Sequence, residues 1–252
     1  LNTLPNVTLL SLVNNNITTN RTPTFYWNGS DDDNDALQYE INISYIAASL
    51  CVDTNNRYVD NNTILGNTSY TASPYFKCLI DNGDRYNWTV RAYDGAGYSS
   101  WAVARNVSVQ SEITVSLPVS FINFGSVSPS EKYNTTTGSP PPFILRNDGN
   151  AELNVSSNFS DLWNTVANNT IFYQYKIRNV TSGCFAYSST TTSWANSSPI
   201  TANVINRLNF TSGYQTGCNN ASIDIAIEVP AVESPGNKSS TVVLTSSLAE
   251  RY

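Results

Sequence analysis

The chain has 252 residues, of which 40% are apolar and only 13% charged, with a net charge of −6 and a pI near 4.6. That charge argues against nucleic acid and anionic membrane surfaces as partners, and no apolar run in the visible chain reaches the length of about 18 residues that a bilayer span needs. The chain contains no histidine, which removes Ser-His-Asp and Cys-His nucleophile systems, His-ligated zinc and imidazole bases together. The length suits two domains of about 100 to 150 residues, each able to bury a core. Methionine is also absent. The visible chain is therefore expected to start after removal of a signal peptide, and an anchor beyond Tyr252 would be missed in the same way.

No helical periodicity runs through the chain. Short β-branched and aromatic runs alternate with Asn, Asp, Gly, Pro and Ser clusters, which predicts an all-β protein of two tandem antiparallel β-sandwiches, over 1–111 and 112–252. In the first half, strands are expected over 7–12, 22–27, 37–46, 69–72, 86–93 and 103–109. The run Tyr86-Asn-Trp-Thr-Val-Arg-Ala alternates cleanly: Tyr86, Trp88, Val90 and Ala92 share one face, and Asn87, Thr89 and Arg91 the other. One face is then buried and one wet.

That strand, followed by Asp94-Gly-Ala-Gly-Tyr-Ser-Ser-Trp, resembles the penultimate strand and last turn of a fibronectin type III domain. Thr22-Pro-Thr-Phe-Tyr-Trp27 resembles its second strand, and Leu37-Gln-Tyr-Glu-Ile the start of its third. The resemblance covers about residues 5–110 and implies a module that binds and spaces; it implies no active site. The insertion containing Cys51 and Cys78 departs from the family pattern.

In the second half, strands are expected over 113–124, 143–146, 153–157, 171–177, 200–205, 221–229 and 241–248. Pro140-Pro-Pro142 reads as a stiff connection. Phe121-Ile-Asn-Phe-Gly-Ser-Val-Ser-Pro, Phe143-Ile-Leu-Arg-Asn-Asp-Gly-Asn, Leu153-Asn-Val and the later turn from Val229-Pro to Gly236 resemble sandwich domains of archaeal secreted surface proteins. They are also similar to TasA-like subunits of extracellular fibres. The junction over 110–114 has no Gly- or Pro-rich stretch, so the two sandwiches are expected to sit end to end with limited freedom.

Four cysteines fall two to each half: Cys51 and Cys78, then Cys184 and Cys218. One disulfide within each domain is expected, hence an oxidising compartment; four buried thiols are the alternative. The chain-entropy model assigns each bridge roughly 3.5 to 4 kcal/mol.

The largest anomaly is the count of Asn-x-Ser/Thr sequons. Eighteen occur, at Asn6, Asn16, Asn20, Asn28, Asn42, Asn61, Asn67, Asn87, Asn106, Asn134, Asn154, Asn158, Asn168, Asn179, Asn196, Asn209, Asn220 and Asn237. This is about twice what the composition would produce by chance, and it points to a secreted N-glycoprotein with acceptors facing solvent.

The one constellation with ligand chemistry is Asp31-Asp-Asp-Asn-Asp35. Asp31, Asp33 and Asp35 alternate in a turn and offer hard oxygen ligands to Ca²⁺, without the glycine and distal glutamate of an EF-hand. A solvated acidic turn is the competing reading. Asp94 lies in another loop that the sequence does not place. Tyr58, Tyr70, Tyr75 and Tyr98 are loop-placed candidates for a sugar platform, against ordinary packing. Asp224 and Glu228 share a strand face about 13 Å apart, too far for a glycosidase pair, and read as solvated charges.

With no other cofactor or catalytic signal, the chain is expected to be a structural subunit of an extracellular filament or surface layer that associates with itself. Strand addition is one route, with 4–12 and 241–248 as candidate donors; an ordinary first and last strand is the competing reading of each. The alternative is an adhesin or carbohydrate-binding ectodomain.

Overall fold

Alternation of apolar and polar residues decides which face of a strand is buried, and β7 (Arg85–Tyr93) shows this most plainly. Tyr86, Trp88, Val90 and Ala92 are fully buried, while Asn87, Thr89 and Arg91 face outward. The computed structural model describes residues 2–46, 60–73, 75–180, 182–210 and 218–249, with backbone alone over 60–65. The chain divides into two compact units, Leu1–Ser111 and Glu112–Glu250.

The first unit holds β1 (Asn6–Ser11), β2 (Asn16–Thr18), β3 (Thr24–Ser30), β4 (Gln38–Ile46), β5 (Asp60–Leu65), β6 (Ser69–Thr71), β7 and β8 (Arg105–Val109). They form a sheet of order β1-β3-β6 and another of order β2-β8-β7-β4-β5. Pairing is antiparallel except for β2 against β8. Phe25 of β3 lies against Trp88 of β7 with ring centroids 4.8 Å apart, and Trp27 meets the edge of Tyr39 at 5.8 Å. The two sheets therefore face each other across an aromatic core, a sandwich in which each such side chain contributes about 1.5 to 3 kcal/mol.

The second unit holds β9 (Val115–Val119), β10 (Lys132–Asn134), β11 (Phe143–Asn147), β12 (Leu153–Phe159), β13 (Tyr173–Asn179), β14 (Ala195–Asn196), β15 (Ala202–Leu208), β16 (Asn220–Glu228) and β17 (Val242–Leu248). One sheet runs β14-β13-β16-β11-β9, with β10 also on β16; the other runs β15-β12-β17. Phe159 of β12 stacks on Tyr175 of β13 at 4.9 Å, joining the sheets across a core that includes Val155, Ile177, Ile205, Leu208, Ile223 and Ile225. Cys184 and Cys218 form a disulfide closing a separation of 34 residues. Cys78 is disulfide-bonded as well; Cys51, its expected partner, lies outside the described residues.

Two expectations are corrected. The strand expected over 113–124 extends only over β9. Pro118 has no N–H for the ladder, and the register against β11 slips between Ile144 and Arg146. The segments named as candidate strand donors pair within the chain, β1 with β3 and β17 with β12, each as the edge strand of its own sheet. Asp224 is fully buried, where a solvated charge was expected. Its carboxylate on the outer face of β16 is met by the Thr135 hydroxyl and the Arg178 guanidinium.

Candidate functional site: sequon-bearing sheet faces and an acidic turn

Asn42, Asn87 and Asn106 occupy outward positions on the five-stranded sheet, each beside core residues such as Ile41, Ile43, Trp88 and Val107. Asn87 stands directly opposite Asn106, Asn42 opposite Thr89, and Asn61 is in register with Asn42. Asn16 is in register with the buried Val107 on the parallel edge and so falls on the other face. Directly opposed side chains sit about 5 Å apart at Cβ, so the outward face gathers Asn42, Asn87 and Asn106 into one patch.

Asn6, Asn20, Asn28, Asn67, Asn134 and Asn237 are exposed. Asn16, Asn42, Asn87, Asn106, Asn154, Asn158, Asn179, Asn196, Asn209 and Asn220 are half-buried. A glycan attaches to Nδ2, so the bonding of that atom sorts the sites further. Asn196 Nδ2 donates to Asn169 O at 3.2 Å and Asn209 Nδ2 to Gly183 O at 2.7 Å. Asn168 is the outlier: it is buried, and its Nδ2 donates to Phe159 O at 2.9 Å. The side chain of Asn61 lies outside what the structure describes.

The acidic turn is built by its own carboxylate. Asp31 Oδ1 accepts the backbone N–H groups of Asp33 at 2.9 Å and Asp35 at 3.3 Å, and Asn34 takes the left-handed conformation with φ 60°. Carboxylate oxygens of Asp31, Asp33 and Asp35 converge within 4.8 Å of one another. Thr3 donates its N–H and its hydroxyl to Asp33 Oδ2, both at 2.7 Å, and these bonds hold the carboxyl below its usual range while Asp94 opposes the shift. The fold thus sets Asp94 near this turn, a placement that sequence reasoning missed. Asp94 is itself held low by hydrogen bonds from the Asn2 amide and from the N–H groups of Gly97 and Ala96. Asp31 Oδ2, shielded from solvent, has no hydrogen-bond partner among the described residues. A trio of converging carboxylates with a spare oxygen has the donor chemistry that Ca²⁺ takes.

Among the tyrosines proposed as a sugar platform, Tyr70 and Tyr75 are half-buried and Tyr98 is exposed; Tyr58 lies outside the described residues. The aromatic cluster that forms was not legible in advance. The Arg91 guanidinium lies 4.1 Å from the Tyr98 ring centre and 4.6 Å from that of Trp101, both rings being partly exposed, and its Nε bonds Glu40 Oε2 at 2.5 Å. Asp224 and Glu228 do not act together. Asp224 binds Arg178 at 2.9 Å and accepts from Thr135 at 3.0 Å, whereas Glu228 pairs with Lys132 at 3.0 Å.

Among the described residues, no helix is long and apolar enough to cross a membrane. No family model matches the chain, and no curated protein does either. Among solved structures, the chain is similar to an α-L-rhamnosidase of Streptomyces avermitilis complexed with L-rhamnose, at 13% identity and a TM-score of 0.27 over 97% of this chain and 24% of that one. It is also similar to an α-L-rhamnosidase of Dictyoglumus thermophilum, at 8% identity and a TM-score of 0.30 over 98% of this chain and 29% of that one. The chain spans about a quarter of the length of those enzymes, and a likeness at this level carries no statement about activity.

Proposed function

We propose that the chain is a secreted, N-glycosylated, non-enzymatic building block of an extracellular filament or surface layer, assembled from copies of itself. The observation that carries this reading is the placement of the sequons. Along β4, β7 and β8 the acceptor asparagines take outward positions while their neighbours fill the core. Packing makes no demand for asparagine at such positions, so a demand for acceptors accounts for them. Sugars covering a sheet face leave the strand edges for contact between copies, and β1 and β17 are both edge strands. The acidic turn adds a calcium site that ties Thr3, near the start of the chain, to the loop over 31–35. Sedimentation of the purified glycoprotein across a wide concentration range, with and without calcium, tests the reading. Reversible growth beyond the monomer supports it, and a monomer under every condition argues against it.

A second reading follows from the Arg91, Tyr98 and Trp101 cluster. Partly exposed aromatic rings fixed by a cation between them can receive the apolar face of a sugar. On this reading the chain is a carbohydrate-binding ectodomain. A glycan array probed with the wild type and with Trp101→Ala decides it: binding lost in the variant favours the adhesin, and no binding by either removes it.

A further inference from the structure

An open cleft of about 340 Å³ lies on the second unit, walled by Asn123, Phe124, Tyr133, Asn134 and Pro140. Its geometry begins with Thr135, which is fully buried. The Thr135 hydroxyl donates to Asp224 Oδ1 and accepts from the Ile225 N–H, both at 3.0 Å, and the Thr135 N–H reaches Ile225 O at 3.0 Å. Asn134 ends β10 and Thr136 lies in the turn that follows, and both are exposed. There Asn134 Oδ1 accepts the Thr136 N–H at 3.0 Å and also the Thr136 hydroxyl.

The sequon Asn134-Thr-Thr136 is thus held ready for reaction on the folded surface. Its amide oxygen is engaged by the hydroxyl residue that defines the sequon, and Asn134 is exposed with no hydrogen bond drawn from Nδ2 among the described residues. Two half-buried rings flank it, Phe124 and Tyr133, and the Tyr133 hydroxyl is fixed by the Ser128 N–H at 3.2 Å.

We propose that this cleft is a glycan seat: Asn134 carries an N-linked glycan whose first sugar ring lies in the cleft against Phe124 and Tyr133. The proposal rests on the glycoprotein reading above. The donor is a sugar linked to a polyprenyl phosphate. The bond formed joins Asn134 Nδ2 to the anomeric carbon. The bond broken is the one from that carbon to the phosphate oxygen, which leaves with the electron pair, and Nδ2 gives up one proton to a base of the transferase. Once attached, the ring presents polarised C–H groups to the aromatic faces of Phe124 and Tyr133.

The test uses the full chain secreted by a eukaryotic host, whose N-glycans begin with N-acetylglucosamine. The folded protein is treated with peptide N-glycosidase, and release is followed by mass spectrometry at Asn134 and at Asn237, an exposed sequon that does not line the cleft. Release at Asn134 is expected to be roughly tenfold slower, the factor that one aromatic contact supplies. Tyr133→Ser should abolish the difference, and prior denaturation of the wild type should equalise the two sites. Asn134→Gln should lower the melting temperature where Asn237→Gln does not, a readout that holds if Tyr133→Ser fails to fold. An unmodified Asn134 would overturn the glycoprotein reading at this sequon. A modified Asn134 released as fast as Asn237, with no melting shift in Asn134→Gln, would overturn the seat alone.

Discussion

Replacing both members of the second disulfide, as Cys184→Ala with Cys218→Ala, releases a constraint on a long loop of the second unit. The cross-link closes a separation of 34 residues that includes the whole of β15. For a loop of this length the chain-entropy account gives about 4 kcal/mol of stabilisation, acting through the unfolded state. The unit it belongs to spans Glu112–Glu250. At about 2 cal/mol/K of unfolding entropy per residue, each kcal/mol moves the melting point of a unit that size by about 3 to 4 °C. Scanning calorimetry of the double variant should therefore show the transition of that unit about 10 to 15 °C lower, with the transition of the first unit in place. A drop of less than about 3 °C would refute the loop-entropy reasoning. A shared drop of both transitions would show that the two units do not unfold independently.

Four further outcomes follow from named contacts. Arg178→Met strands Asp224, which is fully buried, and should cost about 2 kcal/mol in urea unfolding, a figure reduced because Arg178 is half exposed; adding Asp224→Leu should restore most of it. Glu233 is held at about 2 by the Lys238 ammonium and the Thr165 hydroxyl, below its ordinary 4.5. Its folded value is depressed, so its contribution is present above pH 4.5 and fades as pH falls towards 2, and Glu233→Gln should flatten the pH dependence of stability in that window. Glycopeptide mapping should find Asn168 unoccupied, because its Nδ2 is bonded inside the fold to Phe159 O. Calorimetric titration with calcium should give heat and raise the melting temperature, and Asp31→Asn with Asp33→Asn should remove both effects.

Local patterning made the strands legible wherever one face had to be buried. In β7 the alternation of Trp88 and Val90 with Asn87 and Thr89 is enough to assign the inner and outer faces. Patterning failed for short strands whose existence depends on a distant partner. The three-residue strands β2 and β10 form because β8 and β16 offer them backbone to pair with, and nothing in Asn16-Ile-Thr or Lys132-Tyr-Asn announces it. Asp224 misled for a related reason. A period-two reading supplies the face but not what covers it, and here the cover is Thr135, which lies 89 positions away. The acidic turn was visible as a run of carboxylates, but its neighbour Asp94 and its donor Thr3 are brought there only by the fold. Likewise Arg91 and Tyr98 read as one surface strand residue and one loop residue until the chain stacks them.

Electron microscopy of the secreted glycoprotein, prepared without denaturant and in calcium, tests the central claim most directly. Filaments or sheets of regular repeat, with subunit contacts at strand edges and sugar density over the sheet face that carries Asn42, Asn87 and Asn106, are the predicted result. Dispersed single copies at every concentration would contradict it.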